Sequence, residues 1–265
     1  MKQQKLNWQL SAQITAVAVI AVTPIINSLN QAPKTMYRDR LDIFLDAINL
    51  IAFVPLFPLL IVFISALPLF SQQTHRQFVS SSLRMPARQL LRMHLFRGCA
   101  LVSLAFFLFI LLAGIYSFYV TPQLSVYMLN SQAYGLSEAQ LSADSLQRST
   151  FTEILRFGVI PFLVVYAAWT AAAAAVFCLA GMASVLLIKN RVVALLAPWL
   201  LYLGETAAAA VLVGPQVALA YSVFPSGIAS VSPVLLGTPL LVTALLAGIL
   251  WLRVYRRPEL GYGLT

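Results

Sequence analysis

The sequence predicts an all-α membrane protein with six transmembrane helices, a short basic helix in a cytoplasmic loop and a re-entrant outer segment before the last helix. Three observations predict it. Charged residues make up only 9% of the 265 positions, where soluble domains carry about a quarter. Hydrophobic residues reach 60% and the mean hydropathy is +0.86, which excludes both an ordinary soluble enzyme and a disordered chain. Six stretches meet the requirement of about 20 mainly apolar residues for a bilayer-crossing helix.

The first stretch, 8–28, is interrupted by Ser11, Gln13 and Thr15 and carries Pro24 near its outer end. It follows Lys2 and Lys5 as a signal peptide would, but no small-x-small cleavage site follows, so a retained helix is expected. The second covers 43–70, with Asp42 and Asp46 one turn apart at its outer start, read as interfacial anchors. A loop over 71–97 leads to the third stretch, 98–120, and an outer segment follows over 121–157. There Ser137 precedes Gln140 by three residues, the spacing of a capping box, which predicts a short surface helix over 138–147. The fourth stretch, 158–188, contains the run Ala171 to Ala175, which either lets a neighbouring helix approach closely or is permissive filler, two readings of equal weight. The fifth covers 192–213 and the sixth 233–252, and the whole of 1–265 is expected to form one transmembrane domain.

Lys and Arg alternate between the gaps. Twelve fall on one side: Lys2, Lys5, Arg76, Arg84, Arg88, Arg92, Arg97, Lys189, Arg191, Arg253, Arg256 and Arg257. Five fall on the other: Lys34, Arg38, Arg40, Arg148 and Arg156. The positive-inside rule then puts both termini in the cytoplasm. The net charge of +9 thus reads as membrane orientation, and no nucleic-acid partner is expected.

Residues 214–232 stay largely apolar from Val217 to Phe224, yet Pro215, the run Pro225-Ser226-Gly227 and Pro233 break them. Eight to ten apolar residues are too few to cross a bilayer, so this is expected to be the re-entrant segment.

The chain carries little catalytic chemistry. It has no GxxxxGK[ST] phosphate loop, no GxSxG elbow and no HExxH. Cys99 and Cys178 lie in apolar stretches, and His75 and His94 lack metal-ligand neighbours. No catalytic residue, metal or bound cofactor is expected. Glu205 is the single acidic residue deep in a span, about 21 Å along the fifth helix from Arg191 at 1.5 Å per residue. Two readings stay open: it marks a substrate or proton pathway, or it is a hydrogen-bonded group near the outer interface where the helix breaks.

The clearest pattern is LRMPARQLLRMHL over 83–95. Arg84, Arg88 and Arg92 recur every four residues, beside an apolar side of Leu83, Ala87, Leu90, Leu91 and Leu95. Such a helix lies on anionic headgroups or docks a cytoplasmic partner with its leucines as anchors. The stretch RQFVSSSLRMPARQLLRMHLFRGCALV resembles the coupling-helix region of bacterial type-2 ABC exporter permeases. There a leucine-rich run, a Pro, an Arg and further leucines lead into the third span, here Leu83, Pro86, Arg88, Leu90 and Leu91. The six-span layout with both termini inside and the broken segment before the last span are similar to that family too. Thr74-His75-Arg76 stands where the family often has an acidic residue ahead of Gly-Thr.

The resemblance implies a permease subunit that is not itself an enzyme. It would work in the bacterial cell membrane with a second permease copy or paralogue and a pair of cytoplasmic ABC ATPase subunits that hold ATP and Mg. Leu83, Arg84, Pro86, Arg88, Leu90, Leu91 and Arg92 would form the ATPase-coupling surface. The cargo implied is an amphipathic or lipid-like compound, such as a drug or antimicrobial peptide. An ion-gradient-driven secondary transporter using Glu205 and a non-transporting anchor or sensor are the rival expectations.

Overall fold

A computed structural model describes residues 2–49, 53–66, 86–124, 126–226 and 231–256. It is mostly helical, and among the described residues five helices are long and apolar enough to cross a membrane and one further apolar helix is shorter. In chain order the helices are α1 (Lys2–Gln31), α2 (Arg40–Ile48), α3 (Phe53–Ser65), α4 (Ala87–Ile115), α5 (Glu138–Gln147), α6 (Val159–Leu187), α7 (Arg191–Leu212), α8 (Leu219–Val223) and α9 (Pro233–Arg256). Two-residue strands, β1 (Met36–Tyr37) and β2 (Met128–Leu129), pair in parallel.

The expected fourth, fifth and sixth spans coincide with α6, α7 and α9 to within a few residues. The helix expected over 43–70 is instead two elements. α2 ends at Ile48 with Asn49 as its cap, and α3 begins at Phe53. The physical reason is Pro55, whose missing N–H and ring are tolerated in the first turn of a helix and not in its interior, so it stands in the first turn of α3. Pro58 leaves the Val54 carbonyl without its usual i+4 donor, and the Tyr202 hydroxyl on α7 donates to it at 3.0 Å. Trp199 Nε1 donates to the neighbouring Pro55 carbonyl at 2.8 Å. The same logic operates at Pro198 in α7, where the orphaned Ala194 carbonyl accepts from Ser184 Oγ of α6 at 2.7 Å. Apolar surroundings make such an orphan cost several kcal/mol, so each proline becomes a point where neighbouring helices are joined.

The boundary expected at residue 98 is also absent. Residues 87–97 are the first three turns of α4, continuous with its apolar part, which closes in a π-turn over Tyr116–Val120 and a 3-10 turn over Thr121–Gln123.

α6 is the central helix. It packs against α3, α4, α7, α8 and α9, and half of its membrane-length window is buried against 17% for α7. The alanine run explains its closest contact. Ala173 and Ala174 are fully buried, and side chains of α4 reach the α6 backbone: Ser103 Oγ donates to the Ala171 carbonyl at 3.0 Å, and Cys99 Sγ to that of Ala175 at 3.8 Å. Gly114 of α4 faces the Leu163 side chain so closely that a Cβ there would collide with it. The core between these helices is aromatic. Phe57 meets Phe106, Phe177 and Phe224 edge-on, with ring centroids 4.6, 5.7 and 5.2 Å apart. Such edge-to-face pairs contribute about 0.5–1.5 kcal/mol each, and they retain that value in lipid, where burial alone provides no driving force between helices.

Candidate functional site

The functional candidates lie at the two ends of the bundle and at its broken segment. At the first end, the opening turns of α4 meet the closing turns of α6 and α9. Leu90 and Leu91 are 4% and 2% exposed, packed with Leu186 and Val254 and flanked by Leu187 and Trp251. Within this chain both leucines hold α4 against the ends of α6 and α9. A helical apolar stripe says which face is covered, not which surface covers it. Arg88 and Arg92 are exposed, as are Gln89, Met93, Phe96 and Arg97 beside them. The Arg88 guanidinium stands 5.7 Å from the centre of the Tyr255 ring on α9. Pro86, with ψ 132°, turns the chain into the helix. Leu83, Arg84 and the stretch Thr74-His75-Arg76 lie outside the described residues. Lys189, Arg191, Arg253 and Arg256 occur where α6 ends, α7 begins and α9 ends, so this is the basic end of the bundle.

The second end carries an ionic clasp. Asp39 is the N-cap of α2, accepting from the Asp42 N–H at 2.8 Å. It also binds Arg148 through two hydrogen bonds, of 2.8 and 3.1 Å, and the Ser145 hydroxyl at 2.6 Å. Arg148 reaches Asp144 as well, and Arg38 bridges Asp42 at 3.1 Å and Asp144 at 3.6 Å. Two guanidiniums and three carboxylates thus tie α5 to the start of α2. Burial pushes the Asp39 carboxyl up, but the bonds from Arg148 and Ser145 outweigh it and hold the group below the usual carboxylate range. Burial likewise pulls Arg148 down, and its bonds to Asp39 and Asp144 more than restore it.

A tyrosine cluster extends the clasp. The Tyr127 hydroxyl is shared between Ser28 Oγ of α1 and the Tyr116 hydroxyl of the π-turn, 2.9 Å from each. Tyr37 donates to Asp46 Oδ2 at 2.9 Å. Asp42 and Asp46 are thus each engaged by a neighbouring side chain, Arg38 and Tyr37 respectively. The short helix expected over 138–147 is α5, with its Ser137–Gln140 capping box formed. The Asp39–Arg148 pair, 109 residues apart in sequence, left no local trace. Asp39 itself had a signal, a carboxylate immediately before a helical apolar pattern.

At the broken segment Glu205 has a defined partner. Its carboxylate accepts from the Leu219 N–H at 2.8 Å, and Thr206 Oγ1 accepts from the Ala220 N–H at 3.2 Å, so α7 supplies the cap that α8 lacks from its own sequence. Trp169 Nε1 donates to the Ser222 carbonyl at 2.6 Å and Ser149 Oγ to that of Pro225. Leu219, Val223 and Phe224 are buried among α6, α7 and α9.

Among the described residues no three His, Cys, Asp or Glu gather in a group able to hold a metal ion. Comparisons with protein-family models, with curated proteins and with solved structures find no match to this chain.

Proposed function

We propose that this chain is the membrane-spanning subunit of an ATP-driven ABC exporter in the bacterial cell membrane, with both termini in the cytoplasm. The second of six crossings is made by α2 and α3 together, and 214–232 is a re-entrant segment on the outer side. The observation that carries this reading is mechanical. The exposed basic face around Arg88 and Arg92 is rigidly continuous with a spanning helix, and Leu90 and Leu91 latch it to the ends of α6 and α9. A force applied there moves three spanning helices as one.

The force comes from a separate pair of ABC ATPase subunits, which hold ATP and Mg. They dock on the loop ahead of α4 and on its Arg88, Gln89, Arg92 face, and a second permease copy or paralogue completes the transporter. ATP drives the cycle only because the loaded ATPases bind the outward-facing arrangement more tightly than the inward one. The cargo is an amphipathic or lipid-like compound. The rival in which Glu205 carries protons draws less support, because its carboxylate is already engaged by the Leu219 N–H.

The test is ATP hydrolysis by the complex purified in mild detergent. Wild-type chain retains an ABC ATPase and vanadate-sensitive hydrolysis. Arg88→Glu with Arg92→Glu loses both, in a salt-dependent way. Unchanged association and hydrolysis in the double variant would overturn the docking face.

A further inference from the structure

Beside the clasp lies a shallow, open depression of about 490 Å³. We infer that it binds the anionic head and the first part of the hydrocarbon chain of an amphiphile. The inference stands on the geometry of this cavity and does not need the chain to be a transporter.

Its floor is apolar: Leu41 of α2, Phe118 of the π-turn, Leu129 of β2, Leu141 of α5 and Leu155. No single element provides it: the clasp holds α5 over the start of α2, and pairing with β1 holds β2 beside them. Its polar groups differ in what they have left to offer. Asp39 lines the cavity, but four donors already occupy its two oxygens, which leaves little for a cationic ligand. Arg38 is engaged by Asp42 and Asp144 and stacks 5.3 Å from the centre of the Tyr134 ring. Arg40 is exposed on the cavity wall and makes no ion pair among the described residues. Asp42 and Asp144 are not part of the wall, which therefore carries Arg38 and Arg40 against one neutralised carboxylate. The uncommitted charge is positive, and Ser131 adds a hydroxyl to the lining.

A phosphate or carboxylate head takes two parallel bonds from a guanidinium, a geometry that an ammonium or hydroxyl head cannot reproduce. The attached chain then covers Leu129 and Leu141. Two sources supply such a molecule: an anionic phospholipid of the surrounding leaflet, or a free acidic amphiphile.

The experiment uses the full chain in phosphatidylcholine nanodiscs, with a dansyl-labelled undecanoate as probe and empty nanodiscs as background. The probe binds saturably and is displaced by dodecyl phosphate, but not by dodecanol or dodecyltrimethylammonium. Arg40→Gln, at an exposed position, weakens binding about tenfold or more, the scale of one lost charge-assisted hydrogen bond. Leu129→Asn, also at an exposed position, weakens it by removing apolar floor. If phosphatidylglycerol in the nanodisc suppresses probe binding, the natural occupant is a lipid. If it does not, a free amphiphile fills the site. Equal displacement by the cationic competitor, or unchanged binding in Arg40→Gln, overturns the inference.

Discussion

Removing the Arg148 guanidinium should release α5 from α2. The Arg148 and Asp39 side chains are only 9% and 16% exposed and share two hydrogen bonds. An exposed ion pair contributes about 0.2–1 kcal/mol, whereas losing one partner of a buried pair costs about 3–5 kcal/mol. This pair sits close to the buried limit, but Ser145 and the Asp42 N–H still serve Asp39 in the variant. We therefore expect Arg148→Met to cost about 3 kcal/mol, the low end of the buried range. The cost falls on local opening rather than global unfolding, because α5 is tied down through this clasp. Hydrogen exchange reads it directly: at about 1.4 kcal/mol per tenfold, α5 amides should exchange roughly a hundredfold faster while α6 stays unchanged. Asp39→Asn should produce much of the same loss, and the double variant should add little to either, since the two changes remove one interaction. The pH dependence follows from Asp39. A carboxyl held below its ordinary value stabilises fully above the unfolded pKa of about 3.9 and loses that stabilisation as pH falls through the lower folded value. Relative to intrinsic exchange, α5 protection should stay flat from neutral pH to about 5 and fall only in stronger acid. Unchanged α5 exchange in Arg148→Met would refute the reasoning.

Glu205→Gln keeps an oxygen to accept the Leu219 N–H and should unfold in SDS titration close to wild type. Glu205→Leu leaves that N–H orphaned and should lose about 1–3 kcal/mol; equal stability of the two would remove the capping role. For orientation, a cysteine at the exposed Ser142 of α5 should react with an impermeant reagent in intact cells while one at Lys189 should not, and the reverse would invert the topology.

Elements whose cause is local were legible in the sequence. The capping box at Ser137 and Gln140 specified α5, and long, predominantly apolar runs specified α6, α7 and α9. The split of 43–70 was also written locally, in Pro55, but apolar content alone hid it. What stayed illegible depends on distant partners. The Leu90 and Leu91 stripe announced a buried face without saying that Leu186 and Val254 bury it. Glu205 stood out as an acid at depth, yet its partner is a backbone N–H 14 residues on, beyond a helix break. The clasp joins Asp39 to Arg148 across the whole of α2, α3 and α4, and no window of sequence contains both.

The central claim is that the α4 face passes force from an ATPase into the membrane, and photo-crosslinking tests it most directly. A photoreactive residue at the exposed Gln89, in the assembled complex in its own membrane, should capture an ABC ATPase subunit, with a yield that changes when ATP and vanadate trap the closed state. The same residue at Leu129, exposed at the clasp end, should capture none. A Gln89 probe that crosslinks to lipid alone, with and without nucleotide, would contradict the account.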